Sequence, residues 1–210
     1  MRICFFAKKR EPDYLQQTLN SLECSDWRHT KIPVTIFLGG DDEDGSEYNY
    51  ECIPWVGGDY GRPDNIIINH WRAITHYQTN VCVFEDDIQF GRNWMAKLFL
   101  AIEEIEYYRK KTNYCISMYT HRNYPKRGIW YCSYGETFYG SQGLYFPIRA
   151  INSIGDYLIQ NMGRCNSDLL IGEWARKKSR MYTPLKSTIQ HIGRSSGAKS
   201  PYHESHNFEA

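Results

Sequence analysis

The sequence lacks the devices on which several protein classes depend. No apolar run approaches the ~20 residues needed to span a bilayer, and "MRICFFAKKR" at the start has too short an apolar stretch for a secretory signal. There are seven cysteines, an odd number, and no two lie closer than 17 residues. That spacing excludes CxxC zinc or redox motifs and argues against a disulfide framework, so the expected compartment is reducing and cytoplasmic. No glycine-rich phosphate loop of the GxxxxGK(S/T) type is present. Internal repeats and low-complexity linkers are missing too, which leaves one domain over residues 1–210. With a formal net charge of only +1 there is no overall field for general nucleic-acid adhesion.

Hydrophobic (41%) and charged (23%) contents are those of an ordinary globular chain, but aromatics reach 15%, with 17 Tyr and 6 Trp. Tyrosine and tryptophan fill cores and also offer stacking surfaces to sugars and bases. The balanced charge hides a segregation. Residues 41–51, "DDEDGSEYNYE", carry six acids and no base, whereas 107–135 and 174–203 carry six and seven Lys/Arg and no acid. Local fields of this kind suit an anionic ligand at one place; solvated faces are the plainer reading.

Strand and helix patterns alternate along the first half. "RICFFA" reads as a strand, and "PDYLQQTLNSL" as a helix with Pro12 near its first turn and Leu15, Leu19 and Leu22 on one side. "VTIFLGG" and "YECIPW" read as strands, "PDNIIINHWRAITHYQ" as a helix, and "VCVFEDD" as a strand buried on both faces. "NWMAKLFLAIEEIEYYRKK" is the longest expected helix, and "NYCISMYT" a further strand. "GIWYCSYGETFYGSQGLYFP" looks like a hairpin or irregular β structure; "RAINSIGDYLIQ" and "SDLLIGEWARKK" read as helices and "STIQHIG" as a short strand. The expected fold class is α/β, a mostly parallel central sheet flanked by helices with a mixed β second half.

One stretch poses a problem. In "VCVFEDDIQF" a buried strand stops at Glu85, Asp86 and Asp87, and apolar residues resume at once. Adjacent carboxylates repel, and burying them is costly unless something pairs with them. Ligands of open α/β sheets bind at the carboxyl ends of strands, where these acids stand, and a divalent cation would relieve the repulsion. A solvated acidic loop is the alternative, disfavoured by the apolar residues on both sides.

"FEDD" after a buried strand, in a chain that opens strand-helix-strand, resembles the DxD-type motif of the metal-dependent GT-A glycosyltransferases; "EDD" departs from a strict DxD. The resemblance covers most of the chain and implies a GT-A, Rossmann-like fold. It also implies Mn²⁺ or Mg²⁺ on the diphosphate of a nucleotide-sugar donor, of the UDP type, and transfer of the sugar to an acceptor hydroxyl. Residues 1–120 would then bind the donor and 121–210 the acceptor, with a C-terminal loop or lid. By this resemblance Asp87 and His191, in "TIQHIGRSSG", hold the metal. Arg10, Asp41, Asn69, Arg72, Glu85, Asp86 and Arg194 face the nucleotide or diphosphate, and Trp130, Tyr139 and Gln142 the acceptor. Asp168, in "SDLLIGEW", would be the base, with Glu173 in reserve. The compact chain looks most like small bacterial or phage enzymes, and the acceptor is expected to be a hydroxymethylated pyrimidine in DNA or, alternatively, a glycan, a lipid-linked sugar or a protein. A nucleotidyltransferase or a non-catalytic binding module are the rival classes.

Plainer readings exist for each residue. His191 suits a satisfied core histidine, and Ser167 or Asp168 a helix N-cap. Arg10 and Asp41 suit solvated turns, and the aromatics of 130–139 ordinary packing. A helix N-terminus at Asp168 would hold its carboxylate below the usual pKa, making it a weak base.

Overall fold

The computed structural model describes residues 1–210 apart from 9–11, 40–44, 56–57, 121–129, 134–137, 139, 185, 195–204, 206–207 and 209–210. Ten strands are described: β1 (Arg2–Ala7), β2 (Val34–Leu38), β3 (Glu51–Ile53), β4 (Val81–Glu85), β5 (Ile88–Phe90), β6 (Cys115–Ser117), β7 (Trp130–Ser133), β8 (Gly143–Phe146), β9 (Met181–Pro184) and β10 (Ile189–His191). Five α-helices accompany them: α1 (Tyr14–Glu23), α2 (Arg62–Thr75), α3 (Trp94–Glu103), α4 (Ile148–Gln160) and α5 (Ser167–Lys178).

Eight strands form one sheet in the order β3-β2-β1-β4-β8-β6-β9-β7. From β3 to β4 every pairing is parallel, as expected of strand-helix-strand units. Beyond β4 the sheet turns mixed: β8 runs antiparallel to both β4 and β6, β9 is parallel to β6, and β7 is antiparallel to β9. Strands β5 and β10 pair antiparallel as a separate two-stranded ribbon.

Burial on both faces explains the unbroken apolar runs. Along β1, Ile3, Phe5 and Ala7 join the core beneath α1 and α3, and Cys4 joins the core beneath α2, α4 and α5. In β4, Cys82 and Phe84 face the first core and Val81 and Val83 the second. Period-two alternation thus persists, but both sides are apolar because both are covered. Cys4, Cys24, Cys52, Cys82, Cys115 and Cys165 are free thiols, and Cys4, Cys82 and Cys115 are buried. No helix among the described residues is long and apolar enough to cross a membrane.

Several local expectations need correction. The apolar residues after the acids form β5, whose partner β10 lies a hundred residues later. Residues 128–147 do not make a hairpin: β7 and β8 are separated in the sheet by β6 and β9, and β9 itself was not anticipated. The long helix changes to a π-helical turn over Glu104–Tyr108 rather than running on to Lys111. Pro12 precedes the α1 cap; Asp13 is the cap, its side chain accepting from the Gln16 amide. At α5 the cap position is Asn166, not Ser167 or Asp168.

Candidate active site

The three acids avoid one another by turning to three different elements. Glu85 ends β4, and the Ser141 hydroxyl donates to its Oε1 at 2.7 Å. Asp86 swings toward the end of β1, where the Lys8 amide donates to Oδ2 at 3.3 Å. Asp87 faces the ribbon, with its Oδ2 3.3 Å from His191 Nε2, while the Ile192 amide donates to its main-chain oxygen at 2.8 Å. Asp86, Asp87 and His191 are all buried. Repulsion remains: burial, then the neighbouring Asp87 charge, pushes the Glu85 carboxyl up to about 7, against the Ser141 hydrogen bond and His191.

Gly193 completes the enclosure of Asp87. A Cβ at this position would lie 2.1 Å from Asp87 Oδ2, so only glycine lets the chain pass the carboxylate. The Arg194 amide then donates to the Tyr14 hydroxyl at 3.1 Å, which ties the exit of β10 to the start of α1.

A second group gathers at the carboxyl ends of β2 and β3. Arg72, on the last turns of α2, donates to the carbonyl oxygens of Leu38 (3.3 Å) and Pro54 (2.5 Å) and to Asn69 Oδ1 (3.3 Å). Its guanidinium lies 5.2 Å from the centre of the Trp55 ring and 5.4 Å from that of Phe37. One turn of α2 thus brings a cation and an amide beside the indole that follows β3.

Residues 140–142 connect the acids to α5. The Gly140 amide donates to Asp168, Ser141 reaches Glu85, and the Gln142 carbonyl accepts from the Glu85 amide at 3.1 Å. Gly140 makes this turn at φ 122°, a conformation that side chains rarely adopt. The side-chain oxygen of Gln142 is buried with no hydrogen-bond partner among the described residues, so it remains able to accept from a ligand. Asp168 also accepts from the Leu169 amide at 2.8 Å. Burial nevertheless wins over these donors and raises its pKa, opposite to the depression expected from the helix N-terminus. The dipole effect is worth a fraction of what desolvation costs a carboxylate removed from water. The result is a better proton acceptor than a capping aspartate.

Glu173 goes elsewhere. It forms ion pairs with Lys177 and Arg164, and the Lys177 hydrogen bond, foremost, holds its carboxyl below the usual range. Trp130 lies on β7, its backbone paired with that of Pro184. Arg10, Asp41 and Tyr139 lie outside the described residues. Sequence reasoning missed Ser141, Gly193 and Thr18, the last a buried α1 residue whose hydroxyl meets the acidic turn. None of the three carries a motif; each matters through a partner more than 50 residues away.

As a metal centre the site is sparse. Among the described residues no group of three His, Cys, Asp or Glu side chains converges on a point. Asp87 and His191 supply one carboxylate oxygen and one imidazole nitrogen side by side, a donor set that fits a cation whose other positions are filled by substrate and water. The nitrogen favours Mn²⁺ over Mg²⁺, which prefers oxygen throughout.

Comparison with solved structures decides the architecture. The chain matches GalNAc-T7 crystallised with UDP, GalNAc and Mn²⁺ at a TM-score of 0.62, with 10% identity over 96% of this chain and 45% of that one. It matches residues 1–349 of S. aureus TarS in complex with UDP-GlcNAc at 0.53, with 12% identity over 96% and 62% of the two chains. A structure of an active-site mutant of LgtC matches at 0.51, with 13% identity over 87% and 72%. This is the GT-A glycosyltransferase fold. The chain spans less than half the length of the GalNAc-T7 structure. No protein-family model matches the sequence, and no curated protein matches it.

Proposed function

We infer that the protein is a glycosyltransferase that takes a sugar from a UDP-type nucleotide-sugar donor, with Mn²⁺ on the diphosphate, and places it on an acceptor hydroxyl. The observation that carries this reading is the buried Asp87–His191 pair at the carboxyl end of β4, closed over by Gly193 within a GT-A fold. A carboxylate turn enclosed on several sides, rather than solvated, calls for a cationic partner.

Each gathered group has a role on this reading. Asn69, Arg72 and Trp55 receive the nucleoside. Glu85 and Asp86 stand between nucleoside and metal turn. Arg194 brings a cation to the leaving diphosphate, and the bare Gln142 oxygen accepts from a sugar or acceptor hydroxyl. Asp168, its basicity raised by burial, takes the acceptor proton as the new glycosidic bond forms, which assigns inversion at the anomeric carbon. A bound Mn²⁺ would offset the negative charge that develops on the leaving diphosphate.

The test is a panel of sugar nucleotides with Mn²⁺, read by release of UDP in the absence and presence of acceptors. Arms with hydroxymethylated DNA and with glycan acceptors separate the two acceptor classes. Sugar release supports the transferase. Pyrophosphate release would point to a nucleotidyltransferase, and binding without turnover to a module.

A further inference from the structure

Helix α1 carries two stripes. Leu15, Leu19 and Leu22 bury the apolar one in the core. The other is a row of hydroxyls, Tyr14, Thr18 and Ser21, spaced i, i+4 and i+7 and therefore on one side of the helix. Every one reaches outside the helix toward the acidic turn or its ribbon. The Tyr14 hydroxyl accepts from the Arg194 amide at the exit of β10. Ser21 Oγ accepts from the Phe90 amide of β5 at 3.1 Å. Thr18, between them and fully buried, makes the densest contact. Its Oγ1 lies 2.7 Å from the carbonyl oxygens of both Asp86 and Ile88 and accepts from the Ile88 amide at 3.0 Å. One hydroxyl thus brackets Asp87 in the chain, binding main-chain atoms on either side of it.

We propose that Thr18 is the positioning residue of the metal-binding turn: its hydroxyl fixes the backbone on both sides of Asp87 and so sets the direction from which that carboxylate meets a cation shared with His191. The proposal rests on the reading of Asp87 and His191 as metal donors. The physical case is geometric. A turn of two adjacent acids between strands has every electrostatic reason to splay, and a metal site tolerates little splay. Groups that orient metal ligands without touching the metal change affinity by roughly 10–100-fold when removed. The atoms that Thr18 Oγ1 meets are main-chain atoms of Asp86 and Ile88, so it acts through main-chain geometry.

Thr18→Val keeps the branched shape and deletes the hydroxyl; Thr18→Ser keeps the hydroxyl. Both are compared with Ser21→Ala, which removes the next hydroxyl of the same stripe. The readout is Mn²⁺ affinity in the presence of UDP, by calorimetry and by the electron paramagnetic resonance of bound Mn²⁺, at a temperature where circular dichroism shows each variant folded. Thr18→Val should weaken Mn²⁺ binding by about tenfold or more while UDP binding without metal stays unchanged, and Thr18→Ser should restore it. Ser21→Ala should lower thermal stability but not Mn²⁺ affinity. If Thr18→Val does not fold, Thr18→Ala, which leaves room for a water in place of the hydroxyl, is measured with the same expectation. Unchanged Mn²⁺ affinity in the folded Thr18 variant, or an equal loss in Ser21→Ala, overturns the proposal. Asp87→Ala separates this from the underlying reading. If it too leaves Mn²⁺-dependent UDP binding intact, the metal site itself is misassigned; if it abolishes that binding while Thr18→Val does not, only the positioning role falls.

Discussion

At the amino ends of the strands, Glu51 accepts hydrogen bonds from Tyr77, Thr35 and Arg2, and the Arg2 guanidinium stacks 3.8 Å over the Tyr77 ring. Those partners, Tyr77 foremost, hold its carboxyl below the usual range. At the carboxyl ends of the same sheet, Glu85 sits among two further carboxylates and its own is pushed up to about 7. Both clusters join strands of one sheet, yet one pulls its glutamate carboxyl down and the other pushes its glutamate carboxyl up. The first staples β1, β2 and β3 together at a half-exposed edge. The second is enclosed by α1, the 140–142 turn and the β5–β10 ribbon, where burial and the neighbouring Asp87 charge act against the Glu85 carboxylate. A carboxylate pushed up by burial beside a second carboxylate is the pattern of functional sites more often than of structural staples.

The largest expected effect comes from breaking the second cluster. Asp87→Ala should abolish sugar transfer and the Mn²⁺-dependent thermal shift while the apo protein keeps its stability or gains some, because a repulsive charge is gone. Near wild-type turnover would refute the assignment. Burial without any charged neighbour sharpens the contrast. His70 on α2 is fully buried, its Nδ1 against the Ile66 carbonyl and its Nε2 with no partner among the described residues, and desolvation lowers its pKa to about 4 from 6.5. Between those pH values the unfolded chain binds a proton that the folded one does not, so stability is complete above pH 6.5 and lost as pH falls toward 4. The His70 contribution is about 3 kcal/mol; because Glu85, raised to about 7, shifts stability in the opposite sense over the same window, denaturation across pH 4–7 should show it as the difference between the native and His70→Phe profiles.

Asp168→Asn should cut single-turnover transfer by about 100-fold, the scale of a lost general base, and leave calorimetric donor affinity intact. Unchanged transfer would mean a retaining reaction or a different base. Gly193→Ala tests the enclosure itself. The added methyl must displace the Asp87 carboxylate, so Mn²⁺ affinity should fall about tenfold, as for other disturbed ligand geometry, with little change in metal-free UDP binding. The smallest effect belongs to the first cluster. Glu51→Gln should cost at most about 1 kcal/mol, since the pair is half-exposed and screened, and donor binding should not respond. A large loss of donor affinity there would erase the distinction between the two ends.

The legibility of these regions differed for a local reason. β1 through β4 and their helices could be read from the sequence because each unit of the parallel half is built from neighbours in the chain, and both faces are covered. The acids at 85–87 announced themselves as an anomaly within an apolar run. Beyond β4 the pairings are non-local: β8 inserts between β4 and β6, and β9 between β6 and β7. Four-residue strands such as "MYTP" carry no periodic signal strong enough to be read without their partners. The site follows the same division. Asp87, His191 and Asp168 were nameable as residue types in a resembling order, whereas the pKa of Asp168 came out opposite in sign because burial is a property of the packed molecule.

The sequence alone determined the α/β class, the two-faced burial of β4 and the position of the acidic turn at a strand end. All three follow from patterns within about ten residues of chain, where periodicity and like-charge repulsion act directly. Only the tertiary structure decided which way each acid faces, that a glycine lies against Asp87, that one threonine hydroxyl of α1 brackets it, and that Glu173 is drawn away by Lys177 and Arg164. Those outcomes depend on atoms brought together from distant segments, and hydrogen bonding, desolvation and close contact act over a few ångströms in space whatever the separation along the chain.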